Sequence, residues 1–119
     1  MNSPQVAEHI ANPRNVGELD NPTGVGDVTN EVCMDRIRLT VRVDAGRVAD
    51  AKVQARGCPP TIASASALTE LIIGRSLDEL QSLTRKDIVD ALGRLPVAKM
   101  HCASLAIEAL RAAIEDCQR

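Results

Sequence analysis

The chain contains no phenylalanine, tyrosine or tryptophan. Its core must therefore be built from Leu, Ile, Val, Ala and Met, which bury less area per side chain than aromatic rings do. A pliant domain of modest stability is expected. With no ring on which a base could stack, no Lys/Arg-rich stretch and a formal net charge of −2, the composition argues against a nucleic-acid partner. No apolar run approaches the roughly 20 residues that a membrane helix needs. Residues 1–10 carry Glu8 and His9 where a secretion signal would have an apolar stretch. No Cys-x-x-Cys pair is present, which disfavours a zinc ribbon or a thioredoxin-like redox site. The lack of a glycine-rich phosphate loop likewise disfavours a nucleotide enzyme.

What remains is 119 residues, 45% hydrophobic and 25% charged, long enough for one globular domain spanning 1–119 with a core that needs no disulfides. The four cysteines are read as reduced thiols in a cytoplasmic setting. Residues 4–10 suit a short helix with Pro4 in its first turn. A loop rich in turn residues follows through Gly17, Pro22, Gly24 and Gly26. Ile37, Leu39, Val41 and Val43 then alternate with Arg36, Arg38, Thr40 and Arg42, the period-two signature of a strand buried on one face. Asp44-Ala45-Gly46 supplies a turn. Val48 to Arg56 alternates again, with Ala49, Ala51, Val53 and Ala55 on the expected inner side, and a third strand is placed at Val28–Cys33. From Pro59 onward the pattern is helical, with segments at 60–73, 76–82, 84–92 and 102–116. The second of these opens on the capping box Ser76-x-x-Glu79. Strands first and helices after predict an α+β domain, a small three-stranded antiparallel sheet with helices packed on one face.

The feature that points to chemistry is the company the cysteines keep. Cys33 stands two residues before Asp35, Cys58 follows Gly57 just ahead of a helix, and His101 precedes Cys102 at the start of the last helix. Together they offer thiolates, a carboxylate and an imidazole, a ligand set for zinc or iron. An extended Cys33–Asp35 segment would put both side chains on one face, although an ion pair of Asp35 with Arg36 or Arg38 is the plainer alternative. Cys58 and Cys102 each lie at the positive end of a helix dipole, which favours thiolate. His101 and Cys102, being neighbours, need not bind the same ion. Cys117 reads as a peripheral thiol. The polar strand face of Arg36, Arg38, Arg42, Lys52 and Arg56 reads as solvated, with docking of an acidic partner as the alternative.

Four blocks in order and at compatible spacing resemble the U-type iron-sulfur cluster assembly scaffolds, the family of IscU and of the N-terminal domain of NifU. These are Asn12-Pro13-Arg14-Asn15-Val16-Gly17, Cys33-x-Asp35, Gly57-Cys58 followed by Ile62-Ala63-Ser64-Ala65-Ser66, and Lys99-Met100-His101-Cys102. The resemblance runs from about His9 to Cys117. It implies a carrier and not an enzyme, in which Cys33, Cys58 and Cys102 hold a transient [2Fe-2S] cluster with Asp35 or His101 as fourth ligand. Cys102 and Cys58 are the candidate persulfide acceptors. The implied partners are a cysteine desulfurase, electron and iron donors, and acceptor apo-proteins, with zinc bound when the protein is isolated.

A SufU-type branch of the family, a zinc-bound sulfur acceptor, also shares Asp35-Arg36-Ile37-Arg38-Leu39-Thr40. The spacing of 44 from Cys58 to Cys102 leaves no room for that branch's insertion, and a histidine at the position of His101 is absent from it. A structural zinc domain for protein interaction is the third reading. Met34 and Pro59 replace smaller residues of the family pattern, which predicts stiffer ligand loops and slower release. Leu95-Pro96-Val97-Ala98-Lys99 departs from the segment read by a dedicated Hsp70-type chaperone, which weakens the expectation of that handoff.

Overall fold

Alternation of branched apolar and charged residues makes the middle of the chain a hairpin, and the rest of the fold is arranged around it. The computed structural model describes residues 3–119. In chain order the elements are α1 (Pro4–Ala11), β1 (Gly24–Asn30), β2 (Asp35–Asp44), β3 (Arg47–Arg56), α2 (Pro59–Ile72), α3 (Leu77–Leu80), α4 (Arg85–Ala91) and α5 (Met100–Cys117), the last preceded by a 3₁₀ turn at Val97–Lys99. The three strands form one antiparallel sheet in the order β1-β2-β3. Ile37, Leu39, Val41, Ala51 and Val53 fill its inner face. Helices α2 and α5 cover that face, α1 packs on α2, and α4 packs on both. The α+β architecture with helices on one side of a three-stranded sheet is the one expected from the sequence.

Three local expectations need correction. The first strand is Gly24–Asn30, not Val28–Cys33, and residues 31–34 form a turn. Gly24 and Gly26 look like turn residues, yet they are where α5 lies against the sheet: a Cβ on Gly26 would fall 2.0 Å from the Ala109 carbonyl oxygen. Further along, the register slips between Arg42 and Val43, so that Val43 pairs with Val48 and Ala49 is left out of the ladder. This bulge re-aims the start of β3. Val48 is buried and Ala49 exposed, the reverse of simple alternation. The outer sheet face is also not wholly solvated. Leu19 folds over it, its backbone N–H donating to Thr40 Oγ1 at 3.1 Å, and both residues are buried. Arg36 and Arg38 pair with Asp27, and Arg38 also with Glu18. These are surface pairs, each worth no more than about 1 kcal/mol.

Helix α2 is buried on nearly all sides, which suits its run of Ala, Ser and Thr. Its Ser66 hydroxyl accepts a hydrogen bond from the Arg14 N–H at 2.8 Å and lies 2.7 Å from His9 Nδ1. Either the hydroxyl or Nδ1 can be the donor, according to the tautomer of His9, whose Nε2 lies 3.5 Å from a Glu70 carboxylate oxygen. Burial, aided by the Arg14 charge and opposed by Glu70 and Glu8, holds the His9 pKa below its usual value. The folded state therefore binds fewer protons than the unfolded chain just below pH 6.5. Stability should be full above that pH and fall as the pH drops below it. The melting temperature measured from pH 7.5 to 5.5 should decline, and the decline should flatten in His9→Gln.

Ser64, on the same helix, has a fully buried hydroxyl with no hydrogen-bond partner. An unpaired buried hydroxyl costs about 1 kcal/mol or more. Ser64→Ala should raise stability by about 1 kcal/mol, a gain of several degrees in melting temperature.

Candidate metal centre

The site forms where the ends of two strands meet the first turns of two helices. Asp35 opens β2, Cys58 is the N-cap of α2 immediately after β3, and His101 and Cys102 lie in the first turn of α5. Pro59 and Pro60 occupy the first positions of α2, where a missing N–H costs nothing. Cys33 comes from the turn between β1 and β2. It is held there by Asn30, whose side-chain oxygen accepts from the N–H groups of Val32 and Cys33, and by Met34 in the left-handed region at φ 61°. The turn, and not an extended segment, is what brings Cys33 alongside Asp35.

All five sequence-predicted residues converge. Ligand atoms of Cys33, Asp35 and His101 lie within 4.8 Å of one another, and so do those of Asp35, Cys58 and Cys102. Asp35 belongs to both trios. It is 3% exposed and faces His101, with Oδ2 3.2 Å from Nε2. The plain ion pair with Arg36 or Arg38 is not formed, since those guanidiniums turn to the other sheet face. The Cys58 and Cys102 sulfurs are 3.7 Å apart, and Cys102 Sγ lies 3.5 Å from His101 Nε2. Although neighbours in sequence, His101 and Cys102 bring their ligand atoms together, and it is their distances to the other ligands that place them in different trios. Cys117 sits elsewhere, half-buried at the end of α5 against Gly24.

Gly57 makes the approach of Asp35 possible. Its φ is +143°, and a Cβ there would stand 2.2 Å from Asp35 Oδ1.

The two helix-start thiols are not equivalent, contrary to the dipole expectation. Burial pushes the Cys102 thiol up to about 11, and the adjacent Cys58 and Asp35 add to this, against a hydrogen bond from Thr61. At Cys58 burial also raises the pKa, but hydrogen bonds from the Thr61 hydroxyl and N–H and from Cys102 outweigh it, and the net shift is downward. Loss of solvation at Cys102 thus overrides the helix terminus. Thr61 had no signal in the sequence. Its hydroxyl is 3.4 Å from Cys58 Sγ and 3.3 Å from Cys102 Sγ.

The family model described as the NifU-like N terminal domain matches residues 1–119. The chain belongs to this family. It is 44% identical over 116 residues to the iron-sulfur cluster assembly scaffold protein IscU 1 of Archaeoglobus fulgidus, covering 98% of this chain and 76% of that one. The scaffold protein IscU of Escherichia coli K12 is 43% identical over 118 residues, with 96% and 91% covered. Among solved structures, the N-terminal NifU-like protein of Brucella abortus superposes with a TM-score of 0.81 at 20% identity, covering 98% of this chain and 93% of that chain. A Fervidobacterium islandicum protein assigned to SUF-system cluster assembly gives 0.78 at 19% identity, with 94% and 95% covered. These last two likenesses speak for the fold. No helix among the described residues is long and apolar enough to cross a membrane.

Proposed function

We propose that this NifU-family domain is a scaffold that assembles a [2Fe-2S] cluster and passes it to other proteins, acting as a carrier and not as an enzyme. The observation that carries the reading is the pair of overlapping ligand trios that share Asp35. One iron would be held by Cys58 and Cys102 and the other by Cys33 with Asp35 or His101, so a binuclear cargo uses all three thiols. A tetrahedral zinc ion would take four of the same side chains, so anaerobic reconstitution distinguishes the two cargoes. Thiolate ligands make the cluster anionic, and the first turns of α2 and α5 favour negative charge. The oxygen or nitrogen ligand binds iron less tightly than a fourth thiolate, which suits a protein that must release its cargo.

Sulfur would arrive by attack of a cysteine thiolate on the outer sulfur of a desulfurase persulfide. The S–S bond breaks and the desulfurase thiolate leaves. Of the two candidate acceptors, Cys58 is partly open to solvent whereas Cys102 is 0% exposed. Reduction of each transferred sulfur to sulfide takes two electrons from a protein electron donor. Beside Cys33 the turn exposes Val32 (92%) and Met34 (61%), an apolar lip suited to a partner that covers the site.

Anaerobic incubation with ferrous iron, cysteine and a catalytic amount of cysteine desulfurase tests this. The chain has no aromatic residues, so near-ultraviolet and visible bands would come from the cargo. Wild type should develop a sulfide-dependent chromophore, and Cys58→Ser should not. A colourless protein that retains one zinc per chain and stimulates the desulfurase would make it a zinc-bound sulfur acceptor instead. If removing zinc unfolds it and the desulfurase does not respond, it is a structural zinc domain.

A further inference from the structure

We propose that Thr61 is a positioning residue that donates its hydroxyl hydrogen to the ligand sulfurs of Cys58 and Cys102 and so sets the electronic character of whatever metal they hold. In its cluster form this rests on the scaffold reading above. A threonine inside a helix ordinarily turns its hydroxyl back to the carbonyl three or four residues earlier. Here the Cys58 carbonyl accepts from the N–H groups of Thr61 and Ile62, at 2.9 and 3.4 Å, and the Thr61 hydroxyl adds no bond to it. The Thr61 hydroxyl instead lies between two sulfurs, 3.4 and 3.3 Å from them, and the residue is 0% exposed. Water has no access to take over the interaction.

In the metal-free protein a thiol S–H can donate to the Thr61 oxygen while the hydroxyl donates to the other sulfur. Once both cysteines are thiolate ligands, neither sulfur carries a hydrogen, and the hydroxyl can only donate. Its single hydrogen is then shared between two acceptors or alternates between them. Such a bond withdraws electron density from the ligand sulfur and favours the more negative, reduced form of a cluster. With the hydroxyl in place the bound cluster is easier to reduce than the same ligands would make it alone.

The experiment compares wild type, Thr61→Val, which keeps the shape and loses the donor, and Thr61→Ser, which keeps the donor. Clusters are assembled anaerobically and titrated with dithionite, one electron per step. Thr61→Val should shift the reduction equilibrium at least tenfold toward the oxidised form, about 59 mV for one electron. Thr61→Ser should stay with wild type. In parallel, each apo-protein is loaded with Co(II), and the sulfur-to-cobalt charge-transfer band should move to longer wavelength in Thr61→Val only. If Thr61→Val does not fold, Thr61→Ala is read in its place. Coincident potentials and bands in wild type and Thr61→Val would overturn the proposal, and so would a Thr61→Ser variant that behaves like Thr61→Val. If wild type forms no cluster, the scaffold reading fails and the cobalt spectra alone decide the role of Thr61.

Discussion

A Gly57→Ala variant should bind zinc or cobalt roughly tenfold to a hundredfold more weakly than wild type while keeping most of its secondary structure. Gly57 has φ +143°, a backbone conformation that side chains with a Cβ rarely adopt. Holding alanine there costs on the order of 1–3 kcal/mol by itself. The added methyl would also stand 2.2 Å from Asp35 Oδ1 and 2.8 Å from its Cγ. Asp35 is buried against His101 and has nowhere to retreat, so either the carboxylate leaves both trios or the β3 end shifts and carries Cys58 with it. Each route removes a proposed ligand. Competition against a chromophoric chelator measures the affinity, and far-ultraviolet circular dichroism follows the fold. An unchanged affinity would mean that Asp35 does not contribute to metal binding.

The second large effect is on stability. Gly26→Ala should destabilise the protein by more than about 3 kcal/mol, near the upper end for overpacking, because the clash is with backbone. The new Cβ would lie 2.0 Å from the Ala109 carbonyl oxygen and 2.8 Å from the Ala113 nitrogen. No side chain can rotate out of the way. Helix α5 must lift from β1, and α5 carries His101 and Cys102 in its first turn, so metal affinity should fall together with the melting temperature. Gly57→Ala is expected to weaken metal binding with the smaller loss of stability, and Gly26→Ala to cost the more stability of the two. Chemical denaturation with a cobalt titration on the same samples makes the comparison. A Gly26→Ala protein as stable as wild type would contradict the close packing of α5 on the sheet.

The contrast between these two glycines shows what was legible in the sequence. The alternation from Arg36 to Val43 and the capping box at Ser76 act locally, and β2 and α3 follow from them directly. Gly24 and Gly26 look the same in a turn as in a strand that admits a helix, and only the position of α5 distinguishes the cases. The bulge at Ala49 leaves the periodicity of β3 intact and changes which end residue is buried. At the site, the thiols, Asp35 and His101 were legible because their residue types are those that bind metal and because the four blocks resemble a known family. The inequality of Cys58 and Cys102 was not. Both begin helices, and the difference comes from burial, which is set by packing far along the chain. Thr61 and His9 were silent for a related reason. Their roles depend on Cys102 and Ser66, which are 41 and 57 residues away in sequence.

Transfer to an acceptor protein is the decisive test of the scaffold function. A cluster assembled anaerobically on the wild-type chain is mixed with an apo-ferredoxin in the presence of an iron chelator, and the visible circular dichroism of the acceptor is followed. The ferredoxin signal should grow as the scaffold chromophore fades, with little iron lost to the chelator, and Cys58→Ser, Cys102→Ser and Cys33→Ser should each abolish the exchange. A chromophore that stays on this chain, or a ferredoxin filled no faster than by free iron and sulfide, would rule the scaffold function out.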